Sequence, residues 1–113
     1  RWGEFYELFS NNFLKLKELI IAPGKGMSFQ RHFLRNEIWF ISKGKCSVNY
    51  SKKDPENYEE ISLNTEDTFH VQKESWHQIF NPFDQACHII EIQYGEETNE
   101  EDIERLRYYK NED

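Results

Sequence analysis

The segment GKGMSFQRHFLRNEIWFISKG, residues 24–44, concentrates side chains of the metal-ligand type inside an otherwise apolar strand pattern. In an extended strand, residues two apart point to the same face, so Gln30 and His32 are expected side by side. A turn through residues 34–36 would let a second strand run back and aim Glu37 into the same space. The segment therefore predicts a β-hairpin that carries three neighbouring ligand-type side chains.

A further ligand-type side chain lies in residues 66–81, EDTFHVQKESWHQIFN, where His77 stands at the start of a predicted strand. If this strand pairs near the hairpin, His77 reaches the same space. The resulting ligand set is Gln30, His32, Glu37 and His77. Mixed nitrogen and oxygen ligands with room for water or substrate are what a catalytic metal site needs.

Bulk properties narrow the class of protein. A chain of 113 residues can bury one core, so residues 1–113 are expected to form a single domain. The net charge of -7 would repel a polyanion, which argues against nucleic acid, while a few inward-facing cations could still hold a small anion. The apolar runs are too short for a bilayer and the first residues lack the shape of a signal peptide, so no membrane partner and a cytoplasmic location are predicted. Cys46 and Cys87 lie in predicted strands without metal-type spacing and are interpreted as free buried thiols.

Short strand-like runs separated by turn signals fill most of the chain, which is typical of an all-β sandwich or barrel. The runs are expected at residues 13–22, 27–33, 37–42, 46–50, 58–63, 68–72, 76–81 and 86–94. Helix signals occur only afterwards, where Thr98 and Glu101 have capping-box spacing and Ile103 and Leu106 are spaced for one apolar face. A C-terminal helix of about three turns is therefore predicted.

The spacing of the ligand-type residues resembles the two cupin motifs. The matching residues are Gly24, Gln30, His32, Glu37 and Gly44 in the first motif and His77 and Asn81 in the second. More specifically, the chain resembles the C-terminal cupin domain of class II phosphomannose isomerases, which is usually fused to mannose-1-phosphate guanylyltransferase. The residues that carry this resemblance are Arg1-Trp2-Gly3, Pro23-Gly24, Ser28-x-Gln30, Ile90 to Gln93 with Gly95, Glu101 to Ile103, and Arg105. The chain departs from the family where Gln72 replaces a proline and where Glu66 and Glu74 replace two glycines.

The resemblance implies an all-β cupin, a jelly-roll β-barrel, to which the predicted short C-terminal helix is added. It implies a metal-dependent isomerase that interconverts mannose 6-phosphate and fructose 6-phosphate through an enediolate. One divalent ion would be held by Gln30, His32, Glu37 and His77, with zinc as the first candidate ahead of cobalt, nickel, manganese and iron. Arg105 matches a family arginine and is the first candidate for contacting the phosphate or the developing oxyanion, ahead of Lys15 and Lys17. The general base stays open, although Glu91 could reach inward.

Two other functions remain open. His32, Glu37 and His77 alone make a two-histidine, one-carboxylate triad, which would suit a ferrous iron oxygenase. The departures in the second motif could instead mark a non-catalytic carbohydrate-binding cupin. A homodimer is expected because a small barrel gains from burying further apolar surface.

Overall fold

The computed structural model describes residues 1–111, which form two antiparallel five-stranded sheets. The strands are β1 (Gly3–Ser10), β2 (Leu14–Ile21), β3 (Phe29–Arg31), β4 (Arg35–Lys43), β5 (Cys46–Ser51), β6 (Glu59–Leu63), β7 (Thr68–Val71), β8 (Trp76–Phe80), β9 (Cys87–Gly95) and β10 (Glu104–Arg107). The first sheet has the order β1-β2-β9-β4-β7 and the second the order β10-β3-β8-β5-β6. The predicted all-β jelly roll is confirmed. Strand β1 was not expected.

The inner face of the first sheet changes character along its three central strands, β2, β9 and β4. At one end its side chains are apolar or cysteine: Leu19, Ile21, Trp39, Ile41, Cys87 and Ile89. At the other end they are polar or charged: Lys15, Lys17, Arg35, Glu37, Glu91 and Gln93. The antiparallel register preserves this division, since Lys17 lies opposite Glu91 and Leu19 opposite Ile89. One end of the interior is therefore a hydrophobic core and the other a charged pocket.

A disulfide bond joins the two sheets at the apolar end, between Cys46 on β5 and Cys87 on β9. The prediction of free thiols is therefore wrong. The two cysteines are 41 residues apart in sequence, and their Cα atoms come within 6.0 Å only because their strands face each other. Gly44, two residues before Cys46, allows the backbone to pass close to Ala86. It has a φ of 82°, and a Cβ at this position would lie 2.6 Å from the carbonyl oxygen of Ala86.

The predicted C-terminal helix is also wrong, because its residues form a turn and strand β10, followed by a short 3-10 turn at Tyr109–Asn111. The Asp102 carboxylate accepts hydrogen bonds from the backbone N–H groups of Phe33 (2.9 Å) and Leu34 (2.8 Å), and β10 pairs with β3. These tertiary contacts outweigh the local capping pattern. Arg105 consequently lies opposite Gln30 in a strand ladder. In the described part of the chain, no helix has the length and apolar character needed to cross a membrane.

Candidate functional site

Three of the four predicted metal ligands come together in the interior. His32 follows β3, His77 lies on β8 of the same sheet, and Glu37 projects from β4 of the facing sheet. One ligand atom from each lies within 4.8 Å of the others, and all three side chains are buried. The group, called the inner cluster below, therefore exists only because the two sheets pack face to face.

The two imidazole rings are arranged as metal ligands require. Nδ1 of His32 donates to the Asp102 carbonyl oxygen (2.6 Å) and Nδ1 of His77 to that of Ser75 (3.2 Å), so each ring keeps its Nε2 lone pair. Burial lowers the pKa of His32 to about 4, helped by Arg35, and that of His77 to about 3, helped by His32. Both rings are therefore neutral near pH 7.

One observation favours a bound ion directly. Nε2 of His77 is buried and has no hydrogen-bond partner among the described residues. It borders a space of about 10 Å³ that Glu37 and Gln30 also line, which is about the volume that one water-sized species needs. Imidazole nitrogens with a carboxylate oxygen suit zinc, iron and manganese. The inner cluster therefore fits a divalent ion.

Gln30 is oriented differently from a ligand. Its Oε1 accepts a hydrogen bond from Ser28 Oγ (2.5 Å), and its Nε2 lies 3.2 Å from His32 Nε2. An amide nitrogen does not bind a metal, so Gln30 must reorient to serve as the fourth ligand. Its role as a ligand stays a prediction.

Arg35 is the site residue that sequence reasoning missed, because it was assigned to the turn before β4. Its Nη2 lies 3.0 Å from Glu37 Oε2 and 3.1 Å from His32 Nε2, and its Nε donates to the same Glu37 oxygen at 3.1 Å. The guanidinium thus uses two atoms that a metal ion would need. Arg35 lies two residues before Glu37 and shares its strand parity, which is the signal that could have found it.

A second buried carboxyl, Glu91, completes the interior. Trp39 Nε1 donates to Glu37 Oε1 at 3.0 Å and also lies 3.3 Å from Glu91 Oε2, while Gln93 Nε2 donates to Glu91 Oε1 at 2.8 Å. Burial and the neighbouring Glu37 charge raise the pKa of Glu91 to about 8. Near pH 7 this carboxyl is therefore mostly protonated, and only its ionised fraction could act as the general base considered for it.

A cavity of about 350 Å³ opens beside the inner cluster and is separated from it by Gln30 and Arg35. Its lining has more cationic than acidic side chains: Arg1, Lys15, Lys17, Arg35 and Arg105 against Glu7, Glu91 and Glu100. Lys15 and Lys17 were weaker candidates in the sequence, and both line the cavity. Arg105 lines it as well, from an exposed position on β10, and its catalytic role stays a prediction. The cavity is suited to an anionic ligand.

A sequence model of the family described as mannose-6-phosphate isomerase C-terminal matches residues 1–108. The mannose-1-phosphate guanylyltransferase of Sinorhizobium fredii is 27% identical over 105 residues, which are 93% of this chain and 19% of that protein. The alginate biosynthesis protein AlgA of Pseudomonas putida is 30% identical over 106 residues, 93% of this chain and 20% of that protein.

Among solved structures, Bacillus subtilis oxalate decarboxylase, a protein with Mn(II) centres, superposes with a TM-score of 0.78 at 16% identity, covering 94% of this chain and 28% of that chain. The Schizosaccharomyces pombe Cnp3 cupin domain gives a TM-score of 0.75 at 14% identity, covering 84% and 66%. These structures confirm the cupin fold.

The prediction of a metal-dependent isomerase that interconverts mannose 6-phosphate and fructose 6-phosphate is wrong. The curated relatives are named for guanylyl transfer or alginate biosynthesis, and the chain spans about a fifth of their length. The resemblance identified the right family, but the names of the relatives do not support the isomerase activity inferred from it.

Proposed function

Because the chain belongs to the mannose-6-phosphate isomerase C-terminal family, whose model matches residues 1–108, we propose that it binds a phosphorylated hexose beside a divalent metal ion. The observation that carries this proposal is the cation-lined cavity of about 350 Å³ next to the inner cluster. Binding sites for small molecules generally have volumes of about 300–1,000 Å³. Mannose 1-phosphate is the first candidate, since S. fredii guanylyltransferase is named for it.

The metal would be held by His32, Glu37 and His77, with Gln30 as a fourth ligand after reorientation. Zinc is the first candidate, and manganese is the alternative suggested by the Mn(II) centres of B. subtilis oxalate decarboxylase. A bound divalent ion would act as a Lewis acid toward sugar hydroxyl or carbonyl oxygens.

The chain's own side chains would bind and orient the sugar phosphate. Lys15, Lys17 and Arg105 supply positive charge to the cavity wall, and a guanidinium fork matches phosphate geometry. Trp2 and Phe5 add aromatic surface to the same cavity.

The homodimer remains a proposal as well. Its contact surface would be the exposed apolar side chains of edge strand β1, and analytical ultracentrifugation tests it.

The test is isothermal titration calorimetry with mannose 1-phosphate and with mannose, on protein loaded with zinc or treated with a chelator. We expect the phosphorylated sugar to bind at least about tenfold more tightly than mannose, because charge-assisted hydrogen bonds are the stronger ones. His77→Ala should lose zinc, while His70→Ala, which removes an exposed ring paired with Tyr94, should keep it. Equal affinity for mannose and mannose 1-phosphate would rule out the proposal.

A further inference from the structure

Three cations of the cavity converge on one carboxylate. Glu100 Oε2 lies 2.8 Å from Lys17 Nζ and 3.1 Å from Lys15 Nζ, and Glu100 Oε1 lies 4.0 Å from Arg35 Nη1. Lys17 and Arg35 are 8% and 5% exposed, so their charges need an anion nearby. Arg35 Nη1 is buried and makes no hydrogen bond within residues 1–111. The three cations therefore form a built anion site, with one donor still unused.

The anion in this site is held less firmly than the cations. The Lys15, Lys17 and Arg35 side chains project from central strands β2 and β4, whereas Glu100 lies on the turn between β9 and β10 and its side chain is 56% exposed. Burial raises the pKa of Glu100, but hydrogen bonds from Lys17 and Lys15 outweigh this and lower it to about 2. Glu100 is therefore ionised near pH 7, and of the partners in this site it is the most exposed to solvent.

We propose that Lys15, Lys17 and Arg35 bind the phosphate group of the ligand, and that the Glu100 carboxylate occupies this phosphate subsite until the ligand displaces it. The identity of the ligand as a sugar phosphate rests on the proposed function. A phosphate monoester carries a charge of about -1.5 to -2 and three acceptor oxygens, against one charge and two oxygens for a carboxylate. It can satisfy Arg35 Nη1 as well as both lysines. Glu100 thereby lowers the apparent affinity for phosphate, because only the fraction of molecules with Glu100 displaced can bind.

The experiment compares Glu100→Gln with Glu101→Gln, an equal change of charge at the next, exposed residue. Each protein is titrated calorimetrically with mannose 1-phosphate, inorganic phosphate and mannose. We expect Glu100→Gln to bind both phosphate-bearing probes about tenfold more tightly and mannose unchanged, with less than about a twofold effect from Glu101→Gln. Glu100→Asp, which keeps the charge but shortens the reach, should also tighten binding, which separates occupancy of the subsite from net charge.

The outcomes distinguish this proposal from the function it rests on. If mannose 1-phosphate binds wild type but Glu100→Gln does no better than Glu101→Gln, Glu100 is only a structural clamp and the displacement proposal fails. If Glu100→Gln gains affinity for inorganic phosphate and none for mannose 1-phosphate, the anion subsite stands and the sugar-phosphate function fails. If Glu100→Gln is poorly folded by thermal melting, Glu100→Asp decides in its place, and unchanged phosphate affinity in that variant overturns the proposal.

Discussion

The inner cluster and the outer cluster, formed by Lys15, Lys17 and Glu100, both contact Arg35, yet they differ in burial and construction. The inner side chains His32 and Glu37 are 3% and 2% exposed, whereas the outer carboxylate of Glu100 is 56% exposed. The inner cluster links the two sheets. The outer cluster takes its lysines from one sheet and its carboxylate from a surface turn.

This difference governs how each cluster can exchange partners. A buried charge must be compensated at all times, so the Glu37 carboxylate needs either Arg35 or a metal ion. The outer lysines reach solvent through the cavity and can exchange Glu100 for a ligand at lower cost. Arg35 contacts both clusters, so a change in ligand binding at one cluster should alter the binding affinity of the other.

The largest expected effect follows from loosening the sheets. Replacing both cysteines, Cys46→Ala and Cys87→Ala, releases a cross-link over 41 residues and should lower the free energy of unfolding by about 4 kcal/mol. Since the inner cluster, unlike the outer cluster, takes residues from both sheets, zinc affinity should fall more than phosphate affinity. Urea unfolding measures the free energy of unfolding, and titrations with zinc and with phosphate measure the two affinities. Wild type treated with a reductant is the control. A decrease in the free energy of unfolding below about 1 kcal/mol would show that the disulfide does little to hold the two sheets together.

The next effect concerns Arg35 itself. Arg35→Met keeps the length of the side chain but frees Glu37 Oε2 and His32 Nε2, so zinc affinity should rise about tenfold while phosphate affinity falls. Competition against a chromophoric chelator measures the zinc affinity. Arg105→Met, which lines the cavity from exposed β10, should leave zinc binding unchanged. A weaker zinc complex in Arg35→Met would show that the guanidinium supports the metal site and does not compete with it.

The two clusters also differ in what the sequence could reveal. The grouping of the inner cluster was predicted because each of its residues lies in a local motif, one motif around His32 and Glu37 and another around His77. The outer ion pairs join residues 83 and 85 positions apart, which no local pattern encodes. The disulfide and the β10 strand were mispredicted for the same reason, since both depend on which strands become neighbours in the folded chain.

A smaller effect is expected from the proton on Glu91. Its folded pKa is raised above the ordinary 4.5 to about 8. The folded state therefore keeps a proton that the unfolded chain loses, and stability should fall as pH rises through this interval. Glu91→Gln, which cannot ionise, should remove this slope and stabilise the protein most at the upper end of this interval. Thermal melts across the interval measure it, with exposed Glu96→Gln as the control. An unchanged slope in Glu91→Gln would assign the pH dependence to other groups.

The smallest effect tests the loops where the chain departs from its family. Glu66 and Glu74 stand where the resemblance implies glycines, and both have the left-handed backbone that favours glycine, with φ of 78° and 70°. Glu66→Gly and Glu74→Gly should each therefore stabilise the protein by about 0.5–1 kcal/mol, whereas Glu60→Gly in strand β6 should destabilise it.

The two loops contact different ends of the interior, so the two substitutions can separate an effect on the inner cluster from an effect on overall stability. The Glu74 N–H donates to the His32 carbonyl oxygen at 2.6 Å, beside the inner cluster, while the Glu66 N–H donates to Ile41 at the apolar end at 2.7 Å. If backbone strain at Glu74 helps to position His32, Glu74→Gly should alter zinc affinity and Glu66→Gly should not. Equal gains in stability with unchanged zinc affinity in both would mean that strand pairing alone positions the inner cluster.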